Sequence, residues 1–485
     1  MSATETYTYP QSIELEPVQP VYTGGRDKLR NSDPDLLSRG DAIAGPSLPQ
    51  TPDVLSLHNL DAVLGDGEGG ERVTPVLHPP DKGRHAWQFL AAATLVETWV
   101  WGLPYTVGVL HAYWHTNMFP EDESTLTLAA TLQTGLMFMS TALLGPLFTT
   151  FPRKRQFIQA VGLVVASASI IAAGFVTKAS HLVATIGCLY PFAGALYLPC
   201  ATLMYEWFIE RRGLASGILF AGTGIGGTIF PLVVGGLLSR FGYRAAMVSL
   251  GLAFFVMNAL ALMFIKRRVP LPAKGATHAL PRANFDWSVL RTSAFWLGMS
   301  ALLLTSLGNF NPTLWIPTFA ATVGATKPDG TSLVAIMNAV SVPSNILMGW
   351  ISDRLPARVT VFGNCALAAI SVVILWGLGT SSGMLVAFSM LWGFSALSFV
   401  SLWSKLITRT CKDRDPHMNT YIFSLYAVLR GVGNLTSGPI STKLLRTGVF
   451  RGAAGAYGST NFGAVLVYTG VTIMCGGLVG IFFPN

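Results

Sequence analysis

The sequence predicts an all-α membrane protein: twelve transmembrane helices in two six-helix halves, behind a disordered N-terminal tail. Three observations carry this. Apolar residues make up 51% of the chain and charged residues only 12%, with 50 glycines, which is the balance of a polytopic membrane protein. From Trp87 onward, apolar runs of about twenty residues follow one another, each long enough to span a bilayer. The longest connection between them, starting at Lys266, falls after the sixth run.

Residues 1–85 are rich in Pro, Ser, Asp and Gly and lack sustained periodicity. Such a segment cannot bury enough apolar surface to offset its ordering entropy, so it is expected to be a disordered cytosolic tail. It is polar and acidic, without the pattern of a cleavable signal, so insertion is expected to depend on the first true helix. The spans are expected near Trp87–Trp114, Leu126–Phe148, Phe157–Thr177, His181–Phe208, Leu214–Leu238 and Ala245–Ile265. A second set follows near Ser293–Ala321, Ser332–Ile351, Val359–Leu378, Gly383–Ile407, Thr420–Ile440 and Gly458–Phe483. The halves are then 86–265 and 293–485, joined by a basic, proline-bearing cytosolic linker, 266–292.

Loop charge sets the expected orientation. Seventeen Lys and Arg residues fall in or at the edges of the loops around 153–155, 211–212, 266–291, 354–358 and 405–414. The opposite loops hold seven: Lys178, Arg240, Arg244, Lys327, Lys443, Arg446 and Arg451. Basic loops stay in the cytosol, so both termini are expected there. The net charge of +8 therefore reflects topology and not a nucleic-acid footprint. Cys188, Cys200, Cys365, Cys411 and Cys475 show no CxxC spacing and lie mostly in apolar runs, so they read as small apolar residues rather than metal ligands.

The stretch Trp207–Gly236 crosses the charged turn Glu210-Arg211-Arg212 and enters a glycine-crowded segment with Gly217, Gly222, Gly224, Gly226 and Gly227. Small residues let helices approach where no hydrophobic effect drives them together. The glycine run is not a dinucleotide fingerprint, because it lies inside a spanning helix and not after a strand.

The turn after the eighth span, Gly349-Trp350-Ile351-Ser352-Asp353-Arg354-Leu355-Pro356-Ala357-Arg358, resembles the GxxxDRxGRR loop of the major facilitator superfamily. After the second span, Gly145 to Arg155 holds the same place, with Thr149 and Thr150 at the acidic and first basic positions. Two related loops are what parallel repeats imply. The expected role is a cytoplasmic latch, asymmetric because one copy is degenerate, in which Asp353 accepts from a helix N-terminus or pairs with an arginine. Gly349, Asp353, Arg354, Arg358, Arg211, Arg212 and Glu206 are the candidate gate residues.

Trp207-Phe208-Ile209-Glu210-Arg211-Arg212-Gly213-Leu214-Ala215-Ser216-Gly217, with Ala221-Gly222 and Gly226, resembles the YFxxRRxLAxGxAxAGxxxG signature of monocarboxylate-transporter-like proteins in that superfamily. Fungal monocarboxylate-permease homologues look closest. Trp101 to Leu110, Phe241-Gly242-Tyr243-Arg244, and Arg430 to Ile440 are also similar to family patterns. The resemblance implies a major facilitator fold working by alternating access. It also exposes departures. The family's helix-one lysine is Tyr105 here, and its helix-eight aspartate and arginine are Asn338 and Val342. The acidic motif before the first span is reduced to Asp81-Lys82-Gly83. The proton–monocarboxylate mechanism of the animal members therefore does not carry over.

Two ionisable residues sit deep in apolar segments, Glu97 and Arg430. A charge at the bilayer centre costs roughly 2.5–3.5 kcal/mol on insertion scales, so such residues face a cavity or a partner. Glu97 is a candidate proton or substrate site, and Arg430 a candidate for an anionic group. Tyr105, Gln133, Asn309, Asn311 and Asn338 are polar residues for lining a cavity or for helix–helix contacts. No nucleophile–base pair, metal-spaced histidines or phosphate loop occurs, so no enzyme, cofactor or metal is expected. The expected function is secondary transport of a small organic metabolite, with proton coupling open; the alternatives are efflux of a fungal secondary metabolite, favoured by the missing charges, and a non-transporting sensor. A monomer is expected in the plasma membrane, or alternatively in the vacuolar membrane.

Overall fold

The computed structural model describes residues 78–271, 285–325, 327–412 and 414–484. Most of the expected tail and the middle of the expected linker, 272–284, lie outside the described residues. α1 (Arg84–Asn117) leads to α2 (Glu123–Thr150), α3 (Pro152–Ala173) and α4 (Ala179–Trp207). The run Arg212–Leu262 then spans 51 residues, but Gly242 sits inside it at φ 78° and ψ 172°. A positive φ suits glycine, which has no Cβ to clash, and it ends one helix and starts the next. The run is thus α5 (residues 212–241) and α6 (residues 243–262). After a 3₁₀ turn, Trp287–Arg291, come α7 (Ser293–Thr322), α8 (Gly330–Arg354), α9 (Ala357–Trp376) and α10 (Ser382–Thr410). α11 (His417–Leu445) and α12 (Gly463–Ile481) complete the bundle. No strand occurs among the described residues.

Nine helical runs among the described residues are long and apolar enough to cross a membrane, with α5 and α6 counted as one. The expected twelve spans exceed that number. Besides the merged pair, α1 and α11 are absent from the nine although they are 34 and 29 residues long. Their sequences explain this, since Trp, Tyr, Thr and His dilute α1, and Ser, Thr, Asn and Arg430 dilute α11. Several of these positions are buried in the bundle, among them Trp101, Thr106 and Trp114 on α1 and Ser424, Arg430 and Ser437 on α11. Leu143 and Phe157, 79% and 69% exposed, show what the outer surface presents instead.

Glycine decides where α5 goes. A Cβ on Gly222 or Gly226 would lie 2.5 Å from the carbonyl oxygens of Thr94 and Thr98 on α1. One on Gly217 would lie 2.3 Å from the Asn345 carbonyl oxygen on α8. The glycines therefore form two faces, and α5 is wedged between α1 and α8 at backbone contact. Other helices depart from α geometry midway: α4 is π over Val183–Leu189 and 3₁₀ over Tyr190–Ala193, and α10 is 3₁₀ over Leu397–Leu402.

Candidate functional site

A cavity of about 1480 Å³ occupies the centre of the bundle, walled by α1, α2, α4, α5, α7, α8, α10 and α11. Its mouth includes Ser124, Asp329, Lys443 and Arg446, at helix ends opposite the turn that carries Arg211 and Arg212. Its floor is aromatic. Phe220 on α5 stacks on Phe423 of α11 at 6.5 Å between ring centroids, and Trp403 of α10 meets Phe423 edge-on at 5.7 Å. Higher up, Trp101 contacts Phe138 at 4.7 Å and Tyr197 at 5.5 Å, and Phe138 meets Phe310 of α7 at 6.4 Å.

Arg430 is the buried cation of this wall. It is 9% exposed, and its Nη2 donates to Asn309 Oδ1 at 2.7 Å. The guanidinium lies 4.8 Å from the Phe310 ring centroid, and Nη1 has no hydrogen-bond partner. Nη1 is itself buried, so the fork is held on one side and carries an unsatisfied, covered donor on the other, which an anionic group could take once the side chain turns to the cavity it lines. Tyr105 also lines the cavity and lies within electrostatic reach of Arg430. Asn338 sits beside it but behind the wall: a Cβ on Gly227 would lie 2.8 Å from Asn338 Cγ and 3.1 Å from Tyr105 Cγ. Its amide donates to Val334 of its own helix at 3.1 Å.

Three further candidates stand off the cavity. Glu97 has no exposure, and neither carboxyl oxygen has a partner of hydrogen-bond geometry, although the Trp101 indole interacts with it. Glu97 is absent from the cavity lining, whereas Trp101 and Tyr197, both within its electrostatic reach, do line it. Asn311 is buried between α7 and α12, where its amide donates to Thr469 Oγ1 at 2.9 Å. That is a helix–helix contact and not a cavity group. Gln133 is likewise fully buried and absent from the lining, with its amide unpartnered.

The opposite end is shut. Asp353 accepts from the backbone N–H of Gly213 at 2.7 Å and of Leu214 at 2.9 Å, capping the N-terminus of α5 from α8. The approach needs Gly349, whose added Cβ would lie 2.1 Å from the Gly213 carbonyl oxygen. Lys405 of α10 donates to the carbonyls of Ser352 and Leu355, closing the C-terminus of α8. The degenerate copy differs in kind. Thr149 bonds the Tyr421 hydroxyl at 2.9 Å, and a Cβ on Gly145 would strike Ser424 Oγ.

The charged gate candidates pin local segments and do not form one network. Arg354 lies 3.6 Å over the Trp350 ring, and Arg358 donates to the Phe483 carbonyl at 2.8 Å. Arg212 donates to the Phe208 carbonyl at 2.9 Å, and Arg211 contributes its backbone N–H to Asp81 at 2.9 Å. Glu206 holds the segment after α6, with Arg267 Nε at 3.5 Å and the Arg268 backbone N–H at 3.2 Å. Asp286 accepts from the Ser288 hydroxyl and N–H and from Arg414 Nε at 3.0 Å. Ser288, and then Arg414, hold its carboxyl below the usual aspartate range.

Sequence reasoning treated Asp81 only as a motif remnant. At φ 58° it turns its carboxylate onto the N–H groups of Ile209, Glu210 and Arg211. The signal was an acidic residue followed by Gly83 just before a helix, but no local pattern names a partner so far along the chain.

The Major Facilitator Superfamily profile matches residues 90–438. MFS transporter asaE of Aspergillus flavus is 26% identical over 76% of this chain and 82% of that protein. The Aspyridones efflux protein apdF of Emericella nidulans is 24% identical over 82% of this chain and 78% of its own length. Neither description names a monocarboxylate permease. A crystal structure of a bacterial homologue of the iron transporter ferroportin in an outward-facing state aligns with TM-score 0.59 and 13% identity, covering 83% of this chain and 99% of that one. That likeness concerns the fold alone.

Proposed function

The chain belongs to the Major Facilitator Superfamily and is a multi-pass membrane transporter, and on that premise we propose that it exports a bulky, aromatic or amphipathic organic anion by alternating access. One observation carries this reading: a cavity of about 1480 Å³ with aromatic walls and a buried arginine whose Nη1 is unpartnered. Sites for drug-sized ligands run to about 300–1,000 Å³, so this volume exceeds what a small monocarboxylate needs. The absence of the animal family's three charges points the same way, as does the efflux named for the Emericella relative. Efflux thus replaces uptake of a small acid as the favoured function.

In this reading all twelve helices cross the bilayer, six on each side of the 266–292 linker, and the shut end with Asp353 is cytosolic. Both termini are then cytosolic, in a plasma-membrane monomer. The conformer with its mouth at Lys443 and Arg446 is the one that releases cargo outward. Arg430 and Tyr105 contact the cargo, with Asn338 supporting Tyr105. Glu97, within reach of Trp101 and Tyr197, is the position for a coupling proton.

Export of preloaded anthracene-9-carboxylate and its neutral carboxamide from cells expressing the chain tests this. Faster export of the carboxylate than in vector controls is expected. Net accumulation would overturn the direction, and transport of lactate at an equal rate would return the cargo to small acids.

A further inference from the structure

Helix α10 loses α geometry after Ser395 and runs as a 3₁₀ helix over Leu397–Leu402 before recovering at Trp403. A 3₁₀ stretch inside a long helix shifts carbonyls off their i+4 partners and is a common hinge. Three successive carbonyls at this transition accept side chains from three different helices. Ser344 of α8 donates to Phe394. Asn364 of α9 donates to Ser395 at 2.9 Å, and Asn309 of α7 donates to Ala396 at 2.9 Å.

Asn309 differs from the other two. It ends the first arm of α7, Ser293–Asn309, before the second arm begins at Asn311. Its Oδ1 takes Nη2 of Arg430, while its Nδ2 holds the α10 carbonyl. It is 3% exposed and stands behind the cavity wall, so it does not meet cargo itself. One amide therefore joins the cavity cation on α11 to the discontinuities of α7 and α10.

We infer that Asn309 is a positioning residue that fixes the Arg430 fork toward the cavity and transmits its state to the break in α10. The inference rests on Arg430 being the anion-contacting group of the proposed export cycle. An anion in the cavity draws the guanidinium and its buried, unpartnered Nη1 toward itself, the bond to Asn309 Oδ1 is strained, and the grip on the Ala396 carbonyl loosens. The freed segment carries Leu397 and Val400, both on the cavity wall, so its movement reshapes the site. Ser344 and Asn364 hold the same break without a bond to Arg430 among the described residues, and act as fixed supports.

Hydrogen–deuterium exchange on the full chain in nanodiscs tests the link without a known cargo. Arg430→Ala and Asn309→Ala should each speed exchange of the Leu397–Leu402 amides several-fold, and the double variant should be no faster than the faster single. Asn364→Ala should speed the same amides additively with Arg430→Ala. Wild-type exchange in Arg430→Ala, or additive effects of Asn309→Ala and Arg430→Ala, would overturn the inference. If Arg430→Ala does not fold, Arg430→Met keeps the bulk without the donors and serves in the same cycle. The export ratio of anthracene-9-carboxylate to carboxamide provides the second readout. It should fall in Asn309→Ala and hold in Asn364→Ala, and a ratio unchanged in Asn309→Ala counts against the positioning role. A ratio unchanged in Arg430→Ala with the exchange coupling intact would sink the anion reading alone.

Discussion

Asp81 and Asp353 hold the same turn from opposite sides. Asp81 accepts from the N–H groups of Ile209, Glu210 and Arg211 at 2.9–3.1 Å, and Asp353 from those of Gly213 and Leu214 at 2.7 and 2.9 Å. One carboxylate precedes α1 and the other ends α8, so the start of α5 is clamped from both sides and the shut end is built on backbone donors.

Removing the second clamp should open that end. Helix caps contribute about 0.5–2 kcal/mol, and two bonds to a carboxylate put Asp353 at the upper limit. Asp353→Ala should then raise the population open at this end by about 30-fold. Cys411 is a native reporter, since it is 7% exposed at the end of α10 and within electrostatic reach of Tyr205 on α4. Its alkylation, followed by peptide mapping, should accelerate accordingly, with Asp353→Asn intermediate; wild-type labelling would remove the clamp role.

Gly349→Ala acts on the same contact by steric means. The new methyl would meet the Gly213 carbonyl oxygen at 2.1 Å, and backbone cannot swing aside as a side chain does. Overpacking of this kind costs about 1–3 kcal/mol, here charged to the shut conformer. Faster Cys411 labelling and slower export are expected. Gly363→Ala, where nothing lies within 4 Å of the added methyl, is the neutral comparison.

Arg430→Ala should discriminate by charge. Hydrogen bonds to charged groups contribute about 1.5–3 kcal/mol, so apparent affinity for anthracene-9-carboxylate should fall about 10- to 150-fold. The carboxamide should be affected far less. Equal losses for both probes in transport assays would mark Arg430 as structural.

Glu97→Gln retains shape and removes the titratable group. Glu97 has no exposure and no well-formed hydrogen bond, so a proton is the ligand its carboxyl can take without rearrangement. Export measured across external pH should lose its dependence in the variant. A wild-type pH profile would leave Glu97 as a packing residue.

Part of the candidate site is legible as anomaly. Glu97 and Arg430 stood out because charge in an apolar run is costly, and Asp353 because its loop has a recognisable register. What each would touch was not legible. Asn309 and Asn311 lie two positions apart, yet one grips Arg430 and α10 while the other bonds Thr469 on α12, because α7 breaks at Phe310 between them. Glu97 and Tyr105 lie two turns apart on α1, but α5 and α4 cover the first and leave the second open.

Run length, glycine spacing and loop charge are local quantities, so an all-helical membrane transporter and a tight turn at Arg211-Arg212 can be read directly from the chain. Helix rotation is not local. A helix crossing a bilayer is apolar on most sides, so periodicity hardly distinguishes its lipid face from its cavity face. The choice is made by the backbone contacts at Gly217, Gly222 and Gly226, which set the rotation of α5 against α1 and α8. Those contacts put Tyr105 on the cavity wall, Glu97 behind it, and the turn at Arg211 between two carboxylates.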